Sequence, residues 1–196
     1  MTLTHALFPS MSRLTQVLLV LGGSLFIALA AQVSVPMFPV PMTLQTLAVL
    51  IVGLSFGSRL GAATLLAYLA EGAMGLPVFA KAMNGAAFFG PTAGFLIGFV
   101  GLAWLAGYAV EKGWARGFVT TSISCIVASA LLYIPGVMWP MGVAGAFGLE
   151  GGWVGVGADK AWAWFMAPFL AGDAVKAVLA ALIVTGGWAA IKARRG

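Results

Sequence analysis

The chain has 196 residues, 62% of them hydrophobic and only 8% charged, against about 25% charged in ordinary soluble domains. A soluble fold of this size cannot hide so much apolar surface, so composition predicts an all-α integral membrane protein embedded in the lipid bilayer. The net charge of +5 comes from ten scattered Lys and Arg against five Asp and Glu, a pattern that sets membrane orientation and forms no nucleic-acid-binding patch.

Six spans are predicted in one membrane domain covering 1–196. The first, residues 14–35, is long and is followed by further spans, so it reads as a retained helix and not a cleaved leader. It stops at "PMFPVP", where Pro36, Pro39 and Pro41 forbid a regular helix. This loop either lines a cavity or is an ordinary exposed connection, because irregular backbone at membrane depth needs protein or trapped water around it. The second span, 43–56, and the third, 60–74, are short and are separated by Gly57, Ser58 and Arg59. A loop with Lys81 and Asn84 leads to the fourth span, 91–110, with Pro91 suited to its first turn. "EKGWAR" is a polar loop. The fifth span, 117–133, has a possible kinked extension past Pro135. A Gly- and Trp-rich connection covers about 140–166, and the sixth span, 168–190, ends before "KARRG".

With the N-terminus in the cytoplasm, Arg13, Arg59, Lys112, Arg116, Lys192, Arg194 and Arg195 fall inside. Only Lys81 and Lys160 fall outside, and Lys176 lies in a span. This asymmetry fits six spans with both termini cytoplasmic, and an odd number fits worse. Polar chemistry then gathers outside: Glu71, Lys81, Asn84, Glu150, Asp159 and Lys160, with Asp173 and Lys176 in the first turns of the sixth span. Trp114, Trp162, Trp164 and Trp188 lie near span ends and read as interfacial anchors. Small residues at helical spacing allow close helix approach. Gly90, Gly94 and Gly98 read as packing within the monomer. Ser24, Ala28 and Ala31 are a candidate face for a partner membrane protein, with internal packing as the alternative.

The only histidine is His5, in the N-terminal tail, so the spans hold neither a Ser–His pair nor a His-rich metal site. The lone Cys125 excludes an internal disulfide and reads as a small buried hydrophobe. No Walker-type phosphate loop occurs, so the chain does not itself hydrolyse ATP in that manner. What remains is a binding site. Asp173 and Lys176 share a helix face. An ionisable residue near mid-bilayer costs roughly 2.5–3.5 kcal/mol or more. The two therefore either form an interfacial salt bridge or meet a polar ligand, and the roles are compatible. Thr43, Gln45, Tyr68, Asn84, Thr92 and Tyr133 add neutral hydrogen-bonding groups, which suit a small amphipathic molecule better than a bare ion. Thr43 is equally a candidate helix cap.

"PVPMTLQTLAVL" (39–50), "YLAEGAMGLPVFA" (68–80), "GPTAGFLIGF" (90–99), "YIPGVMW" (133–139) and "GDAVKAVLAAL" (172–182) occur in this order. Together they resemble the BioY family, the biotin-binding S components of energy-coupling-factor (ECF) transporters, over about residues 14–190. The resemblance implies a six-helix bundle in the bacterial cytoplasmic membrane with an outward-side pocket that captures biotin. It implies an ECF transmembrane coupling protein and cytoplasmic ABC-type ATPases as partners, with no cofactor of its own. It strengthens the partner-contact reading of Ser24, Ala28 and Ala31. It implies that Asp173 accepts from a ureido N–H, that Asn84 addresses the same ring, and that Lys176 meets the ureido oxygen or the carboxylate. Thr43 and Gln45 lie where the family's first loop closes the site; Tyr68, Tyr133 and Trp139 supply walls. Ala171 stands where the family often has Pro, Ala93 where it often has Gly, and "KAMNGAAFF" replaces a commonly Gly-rich segment. An S component for another vitamin and a self-sufficient secondary carrier are the competing readings.

Overall fold

The computed structural model describes residues 2–7 and 10–193. Arg194 and Arg195, two of the expected inside charges, lie outside the described residues. Nine α-helices are described: α1 (Leu3–Leu7), α2 (Arg13–Gln32), α3 (Gln45–Phe56), α4 (Ser58–Ala73), α5 (Ala93–Glu111), α6 (Phe118–Met138), α7 (Ala144–Ala146), α8 (Ala158–Phe165) and α9 (Ala167–Ala193). Four stretches, Arg13–Gln32, Ala93–Glu111, Phe118–Ala146 and Ala167–Ala193, are long and apolar enough to cross a membrane; α3 is a shorter apolar helix. The outer face of α2 presents Leu14, Val17, Leu18, Leu21, Leu25 and Leu29 to the surroundings. Such an exposed apolar face suits lipid and not water.

The start of α2 and the break between α3 and α4 have local causes. The Ser12 hydroxyl caps α2 by accepting from the Thr15 N–H at 3.1 Å. Gly57 ends α3 and starts α4 at φ +86, a conformation that favours glycine. Its neighbour Ser58 donates through N–H and Oγ to the Glu111 carboxylate at 2.8 and 2.7 Å, so a charge at the end of α5 caps the N-terminus of α4. Gly107 of α5 makes this possible: a Cβ there would lie 2.3 Å from the Gly57 carbonyl carbon.

The predicted spans match α2, α3, α4, α5, α6 and α9, with differences at the ends. Pro91 lies outside α5, two residues before its first residue Ala93, so it belongs to the preceding turn. The fifth span runs on through Pro135 to Met138, then through a π-helical segment, Trp139–Val143, into α7. The 140–166 connection, Gly- and Trp-rich in sequence, contains the short helix α8. Gly94 and Gly98 pack on Pro135 and Leu132 of α6 as expected, whereas Gly90 precedes α5.

The small-residue face of α2 is turned inward. Ser24, Ala28 and Ala31 are buried inside the bundle, and the Ser24 hydroxyl donates to Glu71 of α4. Small side chains here let α2 lie close to its own neighbours, so in this fold the trio packs inside the bundle.

Candidate functional site

The Pro-rich segment after α2 folds as the loop of a two-stranded hairpin, with β1 (Ser34–Val35) pairing antiparallel to β2 (Met42–Thr43). Its Pro39, Val40 and Pro41 line a cavity of about 230 Å³, which resolves the open question about "PMFPVP" in favour of cavity lining. The cavity sits among the N-terminal ends of α3, α5 and α9 and is walled by Phe79, Phe95, Leu96, Phe99, Leu132 and Phe169. Polar tips enter from Thr43, Gln45, Thr46, Lys81, Thr92, Asp173 and Lys176. A mostly apolar cavity with a few convergent polar groups is the usual form of a small-molecule site.

The polar groups form one connected network. The α9 spacing puts Asp173 and Lys176 on the same face, where Lys176 Nζ lies 2.6 Å from Asp173 Oδ1. Both residues are buried, 7% and 6% exposed, which makes this more than a surface pair. Tyr133 of α6 donates its hydroxyl to Asp173 Oδ2 at 2.6 Å. Lys176 Nζ donates to the Thr43 carbonyl at 3.1 Å, tying α9 to the hairpin. From there the Thr43 hydroxyl donates to Gln45 Oε1 at 3.0 Å, and Gln45 Nε2 donates to the Tyr68 hydroxyl at 2.8 Å. Tyr68 in turn donates to the Val78 carbonyl at 3.0 Å. Thr43 Oγ1 also accepts the Gln45 N–H at 3.2 Å, but the N-cap of α3 is Leu44, so Thr43 stands one residue ahead of the cap position.

Of the residues expected at the site, Asp173, Lys176, Gln45, Thr43 and Thr92 line the cavity. Tyr133 and Tyr68 stand behind it and orient the groups that do. Asn84 is exposed and outside the lining, with Oδ1 accepting from the Ala86 N–H at 3.2 Å to cap a short 3₁₀ turn. Trp139 also lies away from the lining. Its indole N–H donates to the Gly90 carbonyl at 2.9 Å, so it pins a rim residue from outside.

Two contributors escaped sequence reading. Lys81, an outer-loop charge in the sequence, lines the rim with its backbone at φ +59, and Ala82 follows at φ +54. Left-handed backbone at consecutive non-glycine residues is uncommon and persists only where the surroundings enforce it. Gln32, the last residue of α2, supplies that enforcement. Its Nε2 donates to the carbonyls of Ala28 and Phe79, both at 3.1 Å, and its Oε1 accepts from the Ala82 N–H at 3.0 Å. One amide thus brackets the loop that carries Phe79 and Lys81.

These features define an α-helical membrane protein with a ligand-sized, polar-tipped cavity near one end of its helix bundle. A sequence model of the BioY family matches residues 4–193, and the chain belongs to that family. It is 35% identical to the biotin transporter BioY of Rhizobium etli over 178 residues, 88% of this chain and 92% of that one. It is 36% identical to the biotin transporter BioY of Rhodobacter capsulatus over 171 residues, covering 83% and 87% of the two chains. The probable biotin transporter BioY of Pyrococcus horikoshii is 37% identical over 164 residues, 82% of this chain and 90% of that one. The fold is similar to a crystal structure of the S-component for biotin from an ECF-type ABC transporter, with a TM-score of 0.69 over 95% of this chain and 96% of that one. At 20% identity this likeness speaks for the fold.

Proposed function

We propose that this chain binds biotin with high affinity and serves as the substrate-binding S component of an ECF transporter in the bacterial cytoplasmic membrane. The observation that carries this reading is the buried Asp173–Lys176 pair, backed by Tyr133, at the polar end of an otherwise apolar cavity. A ureido group offers N–H donors beside a carbonyl acceptor, and an adjacent carboxylate and ammonium complement both. Asp173 accepts from a ureido N–H, and Lys176 donates to the ureido oxygen. The thioether ring packs among Phe95, Phe99 and Phe169. The carboxylate tail then points towards the rim, where Lys81 supplies a cation. The same naming of relatives as biotin transporters supports this ligand.

In this account the six helices α2, α3, α4, α5, α6 and α9 cross the membrane, both termini face the cytoplasm, and the cavity opens outward. The scarcity of outer Lys and Arg supports that orientation. Cytoplasmic ABC-type ATPases, joined through an ECF coupling protein, supply the energy. Purification from native membranes, with mass spectrometry of retained small molecules and protein partners, tests this account. Biotin with an ATPase-containing complex is expected. A different vitamin would overturn the ligand, and ion-gradient-driven uptake by the chain alone would overturn the partnership.

A further inference from the structure

A second cavity, about 460 Å³, opens at the opposite end of the bundle, between the end of α5, the turn to α6 and the C-terminal part of α9. Its apolar walls include Val110, Ala115, Val184 and Trp188. Its charged groups are Glu111, Arg116 and Lys192. The Glu111 carboxylate is already engaged by Ser58, one oxygen to its N–H and the other to its hydroxyl. Arg116 and Lys192 have no ion-pair partner among the described residues, where the Asp173–Lys176 pair is the one ion pair. Gly113 at φ +77 gives the Arg116 guanidinium room, since a Cβ there would lie 2.6 Å from its Nε. Thr121, which also lines the cavity, is 2% exposed, and its hydroxyl has no hydrogen-bond partner. A buried hydroxyl without a partner is uncommon and calls for an explanation such as an absent ligand.

We propose that this cavity binds the phosphate headgroup of an anionic phospholipid, with Arg116 and Lys192 meeting the phosphate, Thr121 supplying a hydroxyl donor, and Trp188 flanking the glycerol region. The cavity matches each part: two cations with no ion-pair partner and a spare donor for the phosphate, and apolar walls at a helix-bundle end for the start of the acyl chains. Basic pockets between membrane helices at the bilayer surface have this composition. Free phosphate shares the headgroup chemistry but leaves the apolar walls unused.

Delipidated full-length protein in neutral detergent is titrated with short-chain phosphatidylglycerol, with phosphatidylcholine of the same chain length, and with inorganic phosphate, reading thermal unfolding and bound lipid by native mass spectrometry. Phosphatidylglycerol is expected to bind and raise the unfolding temperature, and the other two to do so only weakly. Arg116→Gln/Lys192→Gln is expected to lose about tenfold or more in apparent affinity. Thr121→Val is expected to lose a smaller factor, and Arg59→Gln, a control cation outside this cavity, to change nothing. The variants' unfolding without added lipid checks that they fold. Equal responses to the two lipids, an unaltered response in the double variant, or an equal effect of inorganic phosphate would overturn the lipid assignment.

Discussion

Lys176 Nζ sits 2.6 Å from Asp173 Oδ1 within one face of α9, and neither residue is more than 7% exposed. A buried pair of this kind is costly to assemble and is weak evidence for stability, but removing one partner strands the other. Lys176→Met alone is therefore expected to destabilise the protein by about 3–5 kcal/mol. The double variant Asp173→Leu/Lys176→Met replaces the pair by apolar groups of similar volume, and its thermal stability is expected to equal or exceed that of the wild type while biotin binding is lost. Binding retained in the double variant would show that the pair serves packing alone.

Tyr133 donates to Asp173 Oδ2 without lining the cavity. Tyr133→Phe keeps the ring and removes a hydrogen bond to a charged acceptor, a loss of about 1.5–3 kcal/mol. Biotin affinity is expected to fall by about tenfold or more, at 1.4 kcal/mol per factor of ten, measured by isothermal titration. Unchanged affinity would remove Tyr133 from the orienting network.

Lys81 is exposed at the rim. An exposed charge pair contributes only about 0.2–1 kcal/mol. Lys81→Gln is thus expected to weaken biotin about two- to fivefold at most, and biotin methyl ester not at all. Equal weakening of acid and ester would place the tail elsewhere.

Gly107 packs against the α3–α4 turn, far from the cavity. Gly107→Ala drives a Cβ into backbone that cannot yield cheaply, and about 1–3 kcal/mol of stability is expected to be lost in thermal unfolding. Biotin affinity of the folded fraction is expected to stay at the wild-type level, which separates bundle packing from ligand recognition.

The helices were legible because long apolar runs and Pro, Gly and charged punctuation are local signals. Helix α8 was not, because eight residues in a Gly-rich stretch carry no span-length signal. The Asp173–Lys176 pair was legible from one helix period. The roles of Gln32 and Lys81 depend on contacts between segments some 50 residues apart, which periodicity does not encode. The same limit explains Ser24, Ala28 and Ala31. Their spacing marks a close-packing face but not which helix packs on it. Trp139 follows the pattern too, since only the path of α6 past Pro135 directs its indole to Gly90 and away from the cavity.

The most direct test is equilibrium titration of the purified protein with labelled biotin, run beside Asp173→Asn. Saturable binding competed by unlabelled biotin and by no other vitamin is expected, with an affinity at least about tenfold weaker in the variant. No saturable binding in the wild type, or equal affinity in Asp173→Asn, would contradict this expectation.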